Sequence, residues 1–299
     1  MKYLLLLLLL AIGSSGLTRA DGTGIVYYLD RPARANYPLA MILQGSECLR
    51  VADKYASMIA QLNAAGIGVL RIEKPGLSAD TPIGECPEEY LRTNTLERRV
   101  LDVMAVVATL RRAPDGWNGV LGIAGGSEGG LVAAAAAPLI PETGAVLLIS
   151  SAGGMTFGEE LLLLVEAEMR AAGAPAEAIR KRLDEMRAQY IVMRDNPVPD
   201  KEWMSDGKLA RNTYLWWADA LPVAAVRPLL ETSAPILVLH GEADRQTPVD
   251  SAQCMLDAFQ ARGKKNLELR RYPGMGHSPT PRAISEGMSW LIERLTQPK

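Results

Sequence analysis

Short apolar runs alternate with amphipathic stretches along most of this chain. The segments 37–45 (YPLAMILQG), 66–74 (GIGVLRIEK), 118–126 (NGVLGIAGG), 144–154 (GAVLLISSAGG), 234–244 (APILVLHGEAD) and 266–274 (NLELRRYPG) read as β-strands. Most are continuously apolar rather than alternating, the pattern of strands covered on both faces of a parallel sheet. Between them, segments 51–65, 88–112, 128–137, 250–262 and 281–296 carry helical periodicity. Strands that alternate with helices in this way predict an α/β fold built on a mostly parallel, doubly wound sheet. The segment GIVYYLD (24–30) reads as an added antiparallel strand at the sheet edge.

The alternation stops between about 155 and 232, where only helical patterns occur. Gly173 and Pro175 punctuate the first two of these helices, and Glu166/Arg170 and Glu177/Lys181 stand at the i,i+4 spacing of an exposed helix face. Because this stretch lies between two strands of one sheet, it reads as a helical cap (155–232) inserted before the penultimate strand. The core is then 21–154 together with 233–299. Trp203, Tyr214, Trp216 and Trp217 fall inside the cap. They serve either cap-to-core packing or the apolar wall of a substrate pocket.

The N-terminus is different in kind. MKYLLLLLLLAIGSSGLTRA has a basic start at Lys2, an apolar stretch too short to span a bilayer and a small-residue end. That is the pattern of a secretory leader, assigned to residues 1–20, with the mature chain expected to begin near Asp21. The mature protein is expected to be periplasmic or secreted, with no membrane segment.

Charge and cysteine content narrow the function. The formal charge is −2 and no basic stripe appears, which argues against nucleic acid as a partner. With two histidines and three scattered cysteines, no metal-ligand set can be drawn. Export makes a Cys48–Cys86 disulfide the expectation over free thiols, leaving Cys254 alone in a helical pattern.

The chemistry centres on VLGIAGGSEGGLVAAAA (120–136). Gly125-Gly126-Ser127-Glu128-Gly129 matches G-x-S-x-G and lies after a strand and before a helix, where a nucleophilic serine needs a sharp turn and Gly125 and Gly129 leave room for it. A structural turn serine is the plainer alternative. Of the two histidines, His240 ends a buried strand and reads as structural, whereas His277 lies in a glycine-containing loop after the last strand and is the candidate base. Asp244, just past the strand end, is preferred as the third member over Glu242, its neighbour, and Asp250, for which a helix N-cap role suffices. The oxyanion donors are expected to be the backbone amides of Ser46, in the loop after MILQG, and of Glu128.

GGSEGG, LHGEADRQTP, YPGMGHSP and LRIEKPGLSAD together resemble the α/β-hydrolase superfamily, in the manner of exported bacterial members of the prolyl-oligopeptidase and serine-aminopeptidase types. The order Ser127, Asp244, His277 is the order of that superfamily. The oxyanion loop reads Gln44-Gly45 where many relatives have His-Gly. The resemblance implies a covalent acyl-enzyme and no cofactor. A small-molecule carboxylic ester is the expected substrate and a short peptide the alternative. A thioesterase and a non-catalytic binding module rank below these.

Overall fold

The computed structural model describes residues 14–151, 153–205 and 210–297. Residues 1–13 of the expected leader lie outside the described residues. The strands are β1 Ser14–Thr18, β2 Gly24–Asp30, β3 Tyr37–Leu43, β4 Gly68–Ile72, β5 Trp117–Gly126, β6 Thr143–Ile149, β7 Ile236–Gly241 and β8 Leu267–Tyr272. They form one 8-stranded sheet in the order β1-β2-β4-β3-β5-β6-β7-β8. From β4 to β8 every neighbouring pair is parallel, and β1/β2 and β2/β4 are antiparallel.

Alternate residues of the parallel strands enter two separate cores. Leu39, Met41, Ile123, Val146, Leu148 and Val238 face one side, while Ala40, Ile42, Ala124, Leu147, Leu237 and Leu239 face the other. The continuous apolar runs thus arise from two alternating sets, each buried by its own helix layer. The first layer holds α3 (Leu96–Arg112), α4 (Glu128–Ala136) and α9 (Val249–Ala261), and the second holds α1 (Ala56–Ala64) and α10 (Pro281–Thr296).

The segment 88–112 is not one helix. It divides into α2 (Glu88–Thr93) and α3, because Thr95 takes the N-cap position and its side chain accepts from the Arg98 amide at 3.1 Å. Between β6 and β7 run α5 (Phe157–Ala171), α6 (Ala176–Asp195), α7 (Tyr214–Ala220) and α8 (Val226–Leu229), the helical stretch that the sequence suggests as a cap. A capping box of Thr156 and Glu159 starts α5.

The reading of 24–30 as the sheet edge needs correction. Those residues are antiparallel, but β1 pairs outside them, from Ser14 opposite Tyr28 to Thr18 opposite Gly24. The pairing places the end of the expected leader within the sheet. Just after β1, Arg19 reaches the buried Asp102 with Nε to Oδ1 at 2.7 Å and Nη2 to Oδ2 at 2.6 Å. No helix among the described residues is long and apolar enough to cross a membrane.

Candidate active site

The sheet reverses its winding between β3 and β5. The connection leaving β3 runs to β4 on one side, and the one leaving β5 runs to β6 on the other. A crevice forms at the carboxyl ends of such strands, and the candidate serine, acid, histidine and oxyanion loop lie there. Ser127 follows β5, Ser46 follows β3, Asp244 follows β7 and His277 follows β8.

Ser127 has φ 51° and ψ −127°, a backbone conformation few L-residues adopt. Its amide donates to the Ile149 carbonyl at 3.0 Å, and its carbonyl accepts from the Gly130 amide at 2.9 Å. The surrounding glycines are sterically required. A Cβ on Gly125 would lie 2.2 Å from the Gly129 carbonyl oxygen, and one on Gly129 would lie 2.2 Å from the Leu43 carbonyl oxygen. The turn therefore lets the start of α4 sit against the ends of both β3 and β5.

His277 brings the two sides of the crevice together. Its Nε2 is 3.0 Å from Ser127 Oγ, and its Nδ1 is 2.9 Å from Asp244 Oδ2 and 3.2 Å from Oδ1. Asp244 also accepts from the Gln246 amide at 2.8 Å, the Thr247 amide at 3.0 Å and Thr247 Oγ1 at 2.8 Å. Burial pushes this carboxyl upward, but the hydrogen bonds from His277, Thr247 and Gln246 outweigh it and hold the pKa at about 2. Asp244 is therefore an anion at neutral pH that accepts from Nδ1–H, a tautomer that leaves Nε2 free to accept from the serine hydroxyl. Glu242 instead pairs with Arg271 at 3.0 Å, and Asp250 lies in the first turn of α9. His240 is fully buried; its Nε2 lies 3.0 Å from the Thr247 carbonyl, and burial lowers its pKa.

The loop after β3 touches the serine turn: a Cβ on Gly45 would stand 3.3 Å from Ser127 Cβ. Neither the Ser46 nor the Glu128 amide donates to a protein acceptor among the described residues. Several buried groups hold this loop from behind. Tyr90 Oη donates to the Ser46 carbonyl at 2.9 Å, Arg99 Nη2 to the Gln44 carbonyl at 2.7 Å, and Lys74 Nζ to the Glu47 carbonyl. Burial brings the Lys74 ammonium down to about 7. Arg99 Nη1 also pairs with the Glu128 carboxylate. A disulfide joins Cys48 to Cys86, with Cα atoms 5.5 Å apart, and packs against Tyr90 and Leu77.

Two cavities meet at Ser127. One of about 270 Å³ is walled by Ile42, Tyr55, Met58, Ile149, Pro279 and Ile284 and is almost wholly apolar. The other, of about 100 Å³, lies under the cap and is lined by Phe157, Trp216 and Trp217 together with Glu128, Glu160 and Asn212. Of the aromatics expected on the pocket wall, Trp216 and Trp217 reach this space, and Trp203 and Tyr214 do not. Trp203 packs behind Trp217 with ring centroids 4.9 Å apart, and Tyr214 Oη accepts from Gln189 Nε2 at 2.9 Å. The turn of α7 separates these directions: Trp216 and Trp217 face inward while Tyr214 faces α6.

Arg99, Glu160 and Thr247 were not anticipated. Arg99 carried a signal, because it falls on the apolar stripe Leu96, Val103, Val106, Val107 and Leu110 of α3. A charge on such a stripe needs a buried partner. Thr247 stands three residues after Asp244, the spacing at which a carboxylate and a hydroxyl close a local turn. Glu160 had no local signal, since its neighbours in α5 look like an ordinary exposed turn.

A sheet of this order, with a serine turn after β5 and an acid and histidine following the last two strands, is the α/β-hydrolase fold. The chain belongs to the family described as serine aminopeptidase, S33, whose model matches residues 49–280, and is accordingly a hydrolase. Solved structures share the fold. Est1E from Butyrivibrio proteoclasticus is similar with a TM-score of 0.61 and 17% identity over 95% of this chain and 100% of its own. A 2,6-dihydroxy-pseudo-oxynicotine hydrolase matches with 0.62 and 19% identity over 95% of this chain and 68% of its own. A puromycin-hydrolyzing peptidase of Mycobacterium tuberculosis matches with 0.62 and 16% identity over 95% of this chain and 39% of its own.

Proposed function

We propose that this protein is an exported serine hydrolase of carboxylic esters, acting through Ser127, His277 and Asp244. The observation that carries the reading is the continuous hydrogen-bonded path from Ser127 Oγ through His277 to Asp244. His277 Nε2 takes the serine proton as Oγ attacks the substrate carbonyl, and the amides of Ser46 and Glu128 hold the oxyanion. The imidazolium is stabilised by ionised Asp244 and gives its proton to the leaving alcohol. Water then adds to the acyl-enzyme by the same route and frees the acid.

The nearly apolar 270 Å³ cavity beside Ser127 supports an acyl or aryl group of modest size as the part of the substrate it takes. A second reading, cleavage of short peptides, draws on the family description. The Cys48–Cys86 disulfide supports export, since such bonds persist in oxidising compartments.

A fluorophosphonate probe tests the nucleophile: wild-type protein is labelled and Ser127→Ala is not, and equal labelling of the two would refute the assignment. Comparison of p-nitrophenyl acyl esters with aminoacyl anilides then separates the two substrate readings. Faster turnover of the anilides would favour the peptidase.

A further inference from the structure

We infer that Arg99 is the positioning residue of the oxyanion hole, a single buried guanidinium that ties together the two segments supplying its amides. This rests on the assignment of Ser46 and Glu128 as donors. The two donors belong to different parts of the chain, the loop after β3 and the first turn of α4, and nothing in the covalent structure fixes their separation. Arg99, on α3, touches both. Nη2 donates to the Gln44 carbonyl at 2.7 Å and Nη1 pairs with the Glu128 carboxylate. Arg99 and Glu128 are each about nineteen-twentieths buried, with side-chain exposures of 5% and 4%. The second carboxylate oxygen, Glu128 Oε2, has no other partner, so Arg99 is the one side chain among the described residues that donates to this acid.

Peptide planarity turns these contacts into an orientation. The amide of Ser46 belongs to the Gly45–Ser46 peptide. The preceding peptide is held through the Gln44 carbonyl by Arg99, and the following one through the Ser46 carbonyl by Tyr90 at 2.9 Å. With both flanking planes fixed, the intervening plane has little freedom to rotate. Arg99 also holds the side chain of Glu128 at the start of α4, whose amide is the other donor. A rigid planar fork suits this task, because one group spans two acceptors in fixed directions. A lysine ammonium is a point charge and can satisfy only one of them well. The cost of misplacement is specific: preorganised donors act on the charge that develops in the transition state more than on the ground state.

The test uses Arg99→Lys, which keeps the charge that Glu128 needs, and the pair Arg99→Met with Glu128→Gln, which removes both charges together. Turnover of p-nitrophenyl butyrate and inhibition by an alkylboronic acid are measured on each. The boronic acid forms a bond to Ser127 Oγ and gives a tetrahedral adduct with an oxygen in the hole. Arg99→Lys is expected to lower kcat about 10²-fold, with KM within about threefold, and to lose boronate affinity by a matching factor. The double variant is expected to show the same coupled loss. A folded Arg99→Lys with kcat within about threefold of wild type, or a kcat loss without loss of boronate affinity, would overturn the inference. So would failure of Arg99→Lys to reach the native circular dichroism spectrum, since the pair would then be merely structural. Failure of the underlying reading is separable, because it appears in wild-type protein as absent fluorophosphonate labelling at Ser127.

Discussion

Gly125 and Gly126 are adjacent and chemically identical, yet the turn uses them differently. A methyl group on Gly125 meets the Gly129 carbonyl at 2.2 Å, whereas one on Gly126 meets nothing closer than the Ile149 carbonyl at 3.8 Å. Gly125→Ala is therefore expected to lower stability by about 1–3 kcal/mol or more through overpacking against backbone, and Gly126→Ala to change it by less than about 1 kcal/mol. Urea unfolding of the two variants checks the contrast; equal losses would show that the turn relaxes freely. Asp244 offers a second test at this scale. Asp244→Asn can no longer fix the Nδ1–H tautomer of His277, so kcat should fall about 10⁴-fold while the fold is kept. Steady-state kinetics with circular dichroism measures both.

Among the elements, β1 and α5 carry the sharpest consequences. β1 contributes Ser14–Thr18 to the sheet, and Arg19 behind it partners Asp102, whose side chain is 2% exposed. A chain that begins at Asp21 would lack both the β1 pairing and the charged hydrogen bonds from Arg19, a loss of about 1.5–3 kcal/mol. Denaturant unfolding of chains beginning at Ser14 and at Asp21 should show the shorter one to be the less stable by that order; equal stability would mean that the strand and its ion pair contribute nothing. In α5, Glu160 joins the cap to the core by accepting from the Gly153 amide at 2.6 Å and from Ser251 Oγ. Burial raises its pKa from 4.5 to about 7, against the lowering effect of those hydrogen bonds. Between these values the folded state holds a proton that the unfolded chain has released. Stability therefore falls as pH rises from about 4.5 to about 7, by on the order of 3 kcal/mol. Glu160→Gln should flatten that slope, and thermal unfolding across the window reads it.

Across the whole molecule, the Cys48–Cys86 bridge ties the loop after β3 to the segment before α2 over a sequence separation of 38. Its reduction should lower stability by about 3–4 kcal/mol, mainly by enlarging the unfolded ensemble. Unfolding with and without reductant measures this, and unchanged stability would assign the bridge a purely local role. The strands and helices of the sheet were readable because burial on both faces writes continuous apolar runs into the chain. The break in 88–112 was less so, because Thr95 stops one helix and starts another without disturbing the periodicity. β1 was not readable because Ser14–Thr18 (SSGLT) carries no apolar alternation, and only its pairing with β2 makes it a strand.

The chain alone determined what depends on local sterics and composition: the strand–helix alternation, the helical stretch before the penultimate strand, the glycine turn around Ser127 and, with two histidines in all, a narrow choice of imidazole to stand beside it. Only the tertiary structure decided what depends on approach between distant segments. It placed His277 between Ser127 and Asp244, turned Trp216 and Trp217 toward the cavity and Trp203 and Tyr214 away, and set Arg99 between Gln44 and Glu128. Those contacts join residues far apart in sequence, and their geometry follows from how the sheet and its helices pack rather than from any local pattern.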